Sequence, residues 1–431
     1  MFMEATVSNT TKRSNAIPMA IVAAMFFILG FVTWLNGSLM PYLEQVLKLT
    51  PFQSSFILFS FYIAVTFTAV PSALVIRKVG YKNGMAIAIA MMMCAALLYI
   101  PAAKTQMFAL FLFAQFTMGI GQTLLQTAVN PYVVRIGPEE SAAVRVSIMG
   151  ILNKGAGVVA PLVFTALVLS NFTDMAGKDL TQADIDAMAN GLVGPYLGLA
   201  VFIGIFALGI KFAPLPELEK EGEEEHGSVK EALQHPNLKL GVIALFLYVA
   251  VEVIAGDTIG SFALALGVEK YSVMTSYTMA CMVAGYILGI LLIPRVISQE
   301  KALTASAILG VLLTLAISFG SPDSFIISNL LGLSALPDIL LMVAILGLAN
   351  AIMWPAIWPL ALSGLGKLTS VGSGLLVMGI AGGAFGPVFL GLAKGTSGTV
   401  ESQQIAHLVM LPCYLFIIFY AVKGHKLRKK A

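Results

Sequence analysis

Charge is scarce in this sequence. Only 11% of its 431 residues are Asp, Glu, Lys or Arg, against roughly 25% in a soluble domain. A globule with so little charge could not cover its own surface in water, which argues against a soluble all-α protein with an apolar core. The net charge is only +3, so no nucleic-acid partner is expected. Cysteine is rarer still. Cys94, Cys281 and Cys413 all lie inside apolar runs and read as small buried hydrophobes, which argues against a disulfide framework or a thiolate metal site. No nucleophile–base pair, Ser/His/Asp set or metal-ligand cluster stands out, and His226 and His235 fall in a polar stretch. The chain is therefore not read as an enzyme, and no cofactor or resident metal is expected. A cleavable leader is not recognisable either: the apolar run after Lys12 and Arg13 continues well past a signal-peptide core and reads as a first membrane span.

What the sequence has in abundance is apolar residues, 58% of the total. A span needs roughly 20 of them in succession. Such runs occupy 17–47, 54–76, 83–101, 106–135, 141–169, 194–213, 238–267, 273–294, 302–320, 337–363, 370–393 and 403–422. The fold class is thus an all-α membrane protein with twelve transmembrane helices. Between the sixth and seventh runs, 214–237 carries Glu217, Glu219, Glu221, Glu223, Glu224, Glu225 and Glu231 against Lys220 and Lys230. It reads as an acidic linker with a short helix near its C-terminal end. It separates an N-terminal half, 1–213, from a C-terminal half, 238–431. Placing both termini in the cytoplasm puts nineteen of the 25 Lys and Arg on that side and leaves Lys48, Lys104, Lys178, Lys270 and Lys394 outside, with Lys154 within a helix. That asymmetry sets the orientation.

The two halves carry an internal repeat. Gly119-Ile-Gly-Gln122-Thr-Leu-Leu-Gln126-Thr-Ala-Val-Asn130-Pro131 in the fourth run aligns without gaps on Gly347-Leu-Ala-Asn350-Ala-Ile-Met-Trp354-Pro-Ala-Ile-Trp358-Pro359 in the tenth. Ala160-Pro161 answers to Gly386-Pro387. Two six-helix repeats about an axis along the membrane normal form the major facilitator fold, with a site between the halves. Gln122, Gln126 and Asn130 fall at i, i+4 and i+8 and share one helical face, as do Asn350, Trp354 and Trp358. Such stripes either bond neighbouring helices or line a shared cavity. In a cavity, one half would offer amides for hydroxyl groups and the other indoles to stack on a sugar ring, which suits a neutral polyol better than a lipophilic drug.

With these residues in view, the chain resembles the fucose permease and glucose/galactose transporter family of the major facilitator superfamily along its whole length. The most specific likeness is Gln126-Thr-Ala-Val-Asn130-Pro131-Tyr132 followed by Gly137-Pro138-Glu139-Glu140-Ser141-Ala142. Trp34-Leu-Asn36-Gly37, Asn153-Lys154 and Tyr248-Val-Ala-Val-Glu252 add to it. The resemblance implies a sugar carrier; the candidate substrate contacts are Gln122, Gln126, Asn130, Asn350, Trp354 and Trp358 from the two stripes, with Asn36 and Asn153 from the motifs of the resemblance. Proton-linked fucose permeases carry acids where this chain has Gly37 and Gln126, so proton coupling by that route is not expected here.

Three ionisable residues remain at depth: Lys154, Glu252 and Asp257. Each is costly if left bare. One reading is a buried ion pair that holds the bundle together. Another makes Glu252 or Asp257 a proton acceptor or Na+ ligand, with Lys154 as a competing internal cation. A third has Lys154 bind an acidic sugar. The favoured function is a secondary active transporter importing a neutral hexose by alternating access, coupled to H+ or Na+. The alternatives are a carrier of a sugar acid or amino sugar, an uncoupled facilitator, and a transporter-like solute sensor. A monomer surrounded by lipid in the bacterial cytoplasmic (inner) membrane is the expected state.

Overall fold

The computed structural model describes residues 4–135, 142–168, 181–215, 228–293, 295–332, 336–395 and 399–427. Among these, twelve helices are long and apolar enough to cross a membrane. We number them as spans 1 to 12: Ile17–Val46, Pro51–Val79, Tyr81–Thr105, Phe108–Val133, Ile148–Leu167, Gln182–Phe212, Pro236–Asp257, Tyr271–Leu292, Gln299–Phe319, Asp338–Leu362, Val371–Lys394 and Val400–Lys426. No strand occurs among the described residues. In lipid, a helix is the open-chain structure that satisfies its own backbone, and apolar residues on every side suit it to that solvent. The turns are capped by sequence. Thr50 and Gln53 form a capping box before Pro51, and Gly80, at φ 85°, turns the chain from span 2 into span 3. The chain is a multi-pass integral membrane protein.

Two boundaries differ from the sequence reading. Span 6 begins earlier, because a short helix, Gln182–Gly191, capped reciprocally by Thr181 and Asp184, leads into it. The seventh run, read as one helix over 238–267, breaks after Asp257. A second short helix, Ile259–Ala265, follows Thr258. The break frees carbonyls that no intrahelical N–H reaches. Span 8 supplies the donors: Thr275 Oγ1 donates to the Gly256 carbonyl at 2.7 Å and Thr278 Oγ1 to that of Ala255 at 3.2 Å. The short helix anticipated at the end of the linker is present at Val229–Ala232. The glutamates from Glu217 to Glu225, Lys220, Lys178 and the Gly137–Ser141 motif lie outside the described residues.

The repeat is visible in the packing. Span 4 packs on spans 2 and 3, and span 10 packs on spans 8 and 9. Gly119 lets span 4 close on the Phe61 carbonyl of span 2. Gly347, its repeat partner, lets span 10 close on the Thr278 carbonyl of span 8. A methyl group at either position would strike a backbone oxygen. The halves meet along two symmetry-related seams, span 2 with span 11 and span 5 with span 8. Spans 4 and 10 have no substantial packing against each other.

Cross-half contacts gather at the end away from the linker. Ser261 donates to Glu44 at 3.0 Å, Gln45 to Tyr271 at 2.9 Å and Ser38 to the Ser272 carbonyl at 2.5 Å. Thr165 and Ser272 share a bond of 2.6 Å, and Gly391 rests against Pro51 and Phe52. Toward the linker, Asn130 is exposed and Trp354 and Trp358 are partly so. The halves are bonded to each other at the far end, and spans 4 and 10 do not pack substantially against each other.

If the glycine contacts set the spacing of the bundle, Gly119→Leu and Gly347→Leu will each destabilise the protein. Overpacking of this kind costs about 1–3 kcal/mol. Thermal unfolding in detergent should show a lowered melting temperature for both, and an unchanged melt would refute the contact.

Candidate functional site

Span 7 carries the charged centre, and each of its carboxylates reaches across to the other half. Lys154 Nζ on span 5 lies 2.5 Å from Glu252 Oε1, with side-chain exposures of only 12 and 9%. Lys154 Nζ also stands 4.4 Å from the centroid of the Trp34 ring on span 1, a cation–π contact. Trp34 is fixed by its surroundings: Gly157 of span 5 and Gly256 of span 7 press on its ring, beside Met279 and Met282. One helical turn after Glu252, fully buried Asp257 accepts from Tyr62 Oη of span 2 at 3.2 Å. Lys154, Glu252 and Asp257 are thus brought together as the sequence reading grouped them. Among the described residues no cluster of three or more His, Cys, Asp or Glu could hold a metal ion.

Toward the linker from this centre lie the two repeat stripes, one on span 4 and one on span 10. On span 4, Gln122 donates to Thr33 Oγ1 at 2.6 Å and leaves its Oε1 buried without a partner. Gln126 is half-buried and Asn130 exposed. On span 10, Trp354 and Trp358 stack with centroids 5.2 Å apart and planes 26° apart, and Tyr248 of span 7 lies 6.2 Å from Trp354. Asn350 is fully buried. It accepts from Tyr414 Oη at 2.9 Å, and its Nδ2 has no partner. The helix bends here: it stops at Ala351 and restarts at Met353. Pro359 has no N–H for the Pro355 carbonyl one turn back. Gln299 Nε2 reaches in from span 9, donating to Ala356 O at 2.6 Å and Pro355 O at 3.4 Å.

Two candidate contacts face elsewhere. Asn36 lies inside the N-terminal half, where its Oδ1 accepts from Gln115 at 2.7 Å. Asn153 points back to span 1, with Nδ2 3.4 Å from the Phe26 carbonyl. Conversely, Trp34, Tyr62 and Tyr248 belong to the centre and were not singled out as site residues. Tyr248 could have been found from the sequence, since it precedes Glu252 by four residues and shares its face. Lys394, read as an outer-side charge, is only 4% exposed and lies near Glu44.

A profile of the Major Facilitator Superfamily matches residues 22–387. The chain is similar to a glucose/galactose transporter of Brucella abortus, 31% identical over 97% of this chain and 96% of the relative. It is 33% identical to a putative glucose/galactose transporter of Helicobacter pylori, over 96 and 98% of the two chains. The L-fucose-proton symporter of Escherichia coli K12 is 27% identical over 95 and 93%. Among solved structures, FucP in its outward conformation superposes with a TM-score of 0.66 at 25% identity, covering 95% of this chain and 98% of that one.

The ion pair generates a double-mutant prediction. Removing one partner of a buried pair costs about 3–5 kcal/mol, because the other charge is left bare. Lys154→Met and Glu252→Gln should each lower the melting temperature sharply. The double variant should recover much of the loss. Additive losses in the double variant would mean the two side chains do not depend on each other.

Proposed function

The chain belongs to the Major Facilitator Superfamily, and from that premise we propose that it is a secondary transporter importing a neutral hexose of the glucose, galactose or fucose type. The feature that carries the reading is the pairing of unlike stripes on two repeat-related helices. Gln126 and Asn130 stand on span 4, and the Trp354–Trp358 stack stands on span 10. Amides exchange paired hydrogen bonds with vicinal hydroxyl groups, and indole faces cover the apolar face of a pyranose. The sugar names carried by the relatives point the same way. A sugar acid is disfavoured, because the Lys154 charge is already met by Glu252. The Glu252 charge is likewise met by Lys154, whereas Asp257 accepts only from the neutral Tyr62 hydroxyl and keeps Oδ1 without a hydrogen-bond partner.

In this reading both termini and the linker are cytoplasmic, the membrane is the bacterial inner membrane, and the described state is open to the cytoplasm. The coupling role falls to Glu252. Protonating it, or setting Na+ beside it, would release Lys154 from its carboxylate and loosen a tie between the halves. An ion gradient would thereby bias the exchange between inward- and outward-open states. Asp257, bonded to Tyr62 and fully buried, serves as the second, steadier tie.

Uptake of labelled glucose, galactose and fucose into proteoliposomes, under imposed pH or Na+ gradients, tests the proposal. Trp354→Ala should weaken apparent affinity by about 1–3 kcal/mol, by analogy with aromatic stacking on a nucleobase. Gln126→Ala should raise the KM or abolish uptake in folded protein, and wild-type kinetics in both variants would sink the cavity assignment. Glu252→Gln should abolish gradient-driven accumulation and leave exchange of labelled for unlabelled sugar partly intact. Transport that ignores both gradients would make the protein a facilitator, and sugar binding without any transport would make it a sensor.

A further inference from the structure

The N-terminal half has a second concavity that the transport reading does not use. A groove of about 680 Å³ lies between spans 1, 5 and 6, with Phe27, Phe31, Phe164, Tyr196 and Phe202 among its walls. Its volume falls in the range of roughly 300–1,000 Å³ typical of small-molecule sites. The groove exists because the two halves differ. Span 12 packs on both span 9 and span 7, whereas the main helix of span 6, Val193–Phe212, packs on span 3 and makes no substantial contact with span 1, which meets only the lead-in helix, where Tyr42 donates to the Met188 carbonyl. Gly194 and Gly198 of span 6, one turn apart, border the groove, and a Cβ at either would meet nothing within 4 Å. Glycines so spaced usually admit a neighbouring helix; here no helix comes.

The groove shares part of its wall with a polar space. Val32, Leu35, Tyr196 and Leu199 line both the groove and a smaller space of about 10 Å³ bounded by Asn36 and Gln115. That is room for about one water-sized group. Asn36 is 4% exposed and Gln115 0%. They share one hydrogen bond, and each keeps one half of its amide free: Asn36 Nδ2 and Gln115 Oε1 have no partner. Turning both amides over would exchange the free groups between the residues and still leave one N–H donor and one carbonyl acceptor. A single hydroxyl accepts from the first and donates to the second.

We propose that this groove binds a lipophilic molecule carrying one hydroxyl, a long-chain or sterol-type alcohol taken from the bilayer. Its hydrocarbon lies between spans 1, 5 and 6, and its hydroxyl sits between Asn36 and Gln115. A phospholipid does not meet these demands. Asn36 is ten residues inside the end of span 1 and Gln115 seven residues inside span 4, or about 10–15 Å at 1.5 Å per residue. Headgroups stay above that depth, and a plain acyl chain offers nothing to two amides. Two walls of the groove, spans 1 and 5, also carry Trp34 and Lys154, so an occupant bears on the helices that hold the ion pair.

The test uses the full chain in phosphatidylcholine nanodiscs with a photoreactive diazirine-bearing hexadecanol and its methyl ether, which accepts a hydrogen bond but cannot donate one. Labelled peptides are mapped by mass spectrometry. The alcohol is expected to label spans 1 and 6 about tenfold more than the ether. Gly198→Leu projects a side chain from a position whose Cβ is unobstructed and favours the helix, and it should remove that labelling while the melting temperature holds. Gln115→Leu should bring alcohol and ether to the same level. Equal labelling by the two probes in the wild type would show a groove filled by acyl chains and would overturn the proposal. Undiminished alcohol labelling in Gly198→Leu would overturn it as well.

Discussion

An ammonium and a carboxylate 2.5 Å apart in the middle of an apolar bundle depend on each other in a way few other contacts do. Neither Lys154 nor Glu252 can stay charged there alone without a large desolvation penalty. Because one sits on span 5 and the other on span 7, their mutual dependence becomes a dependence between the two halves of the molecule. Trp34 supports the lysine from span 1, and Gly157 and Gly256 bring spans 5 and 7 close enough to Trp34 for the contact to form. The Tyr62–Asp257 bond repeats the logic along the other seam. Span 7 is thus tied to both flanks of the opposite half.

Backbone satisfaction constrains the same region. Water cannot serve open carbonyls within the hydrocarbon, so each irregularity needs a side-chain partner. The break after Asp257 is served by Thr275 and Thr278. The proline-bent second part of span 10 is served by Gln299. These irregularities flank Glu252 and the tryptophan stack, so the backbone departs from a plain helix beside the groups assigned to chemistry. Each donor comes from a span next in sequence to the one it serves, and each lies within one half. A half can therefore move as a body without losing these bonds.

Much of this architecture was legible in the residues. Lipid demands long apolar runs, and all twelve stood out for that reason. The gapless alignment of Gly119–Pro131 with Gly347–Pro359 anticipated which helices are related. The break in span 7 was not legible, because Asp257-Thr258 contains no Gly or Pro to announce it and its stabilising threonines lie on another span. Asn36 and Gln126 show the limit for individual residues. Both are amides in apolar helices, and helical period tells which residues share a face. It does not tell which neighbour that face meets. Gln115, buried on span 4, turns Asn36 inward, and only packing reveals the pair. Lys394 likewise sits at the end of an apolar run, where sequence suggests water and the fold supplies burial near Glu44.

The glycines Gly119 and Gly347 have a consequence for how such a protein can change. Each span is under different rules along its length. The turn with the glycine is held to one shape, since any larger residue meets a neighbouring backbone. Seven and eleven residues further on, along the same helical face, the duplicated segments have drifted apart, to Gln126 and Asn130 in one copy and Trp354 and Trp358 in the other. Inheritance has conserved the joint and released the lining. A new cargo could therefore arise by rewriting the lining of one copy while the ancestral duplicate goes on holding the frame.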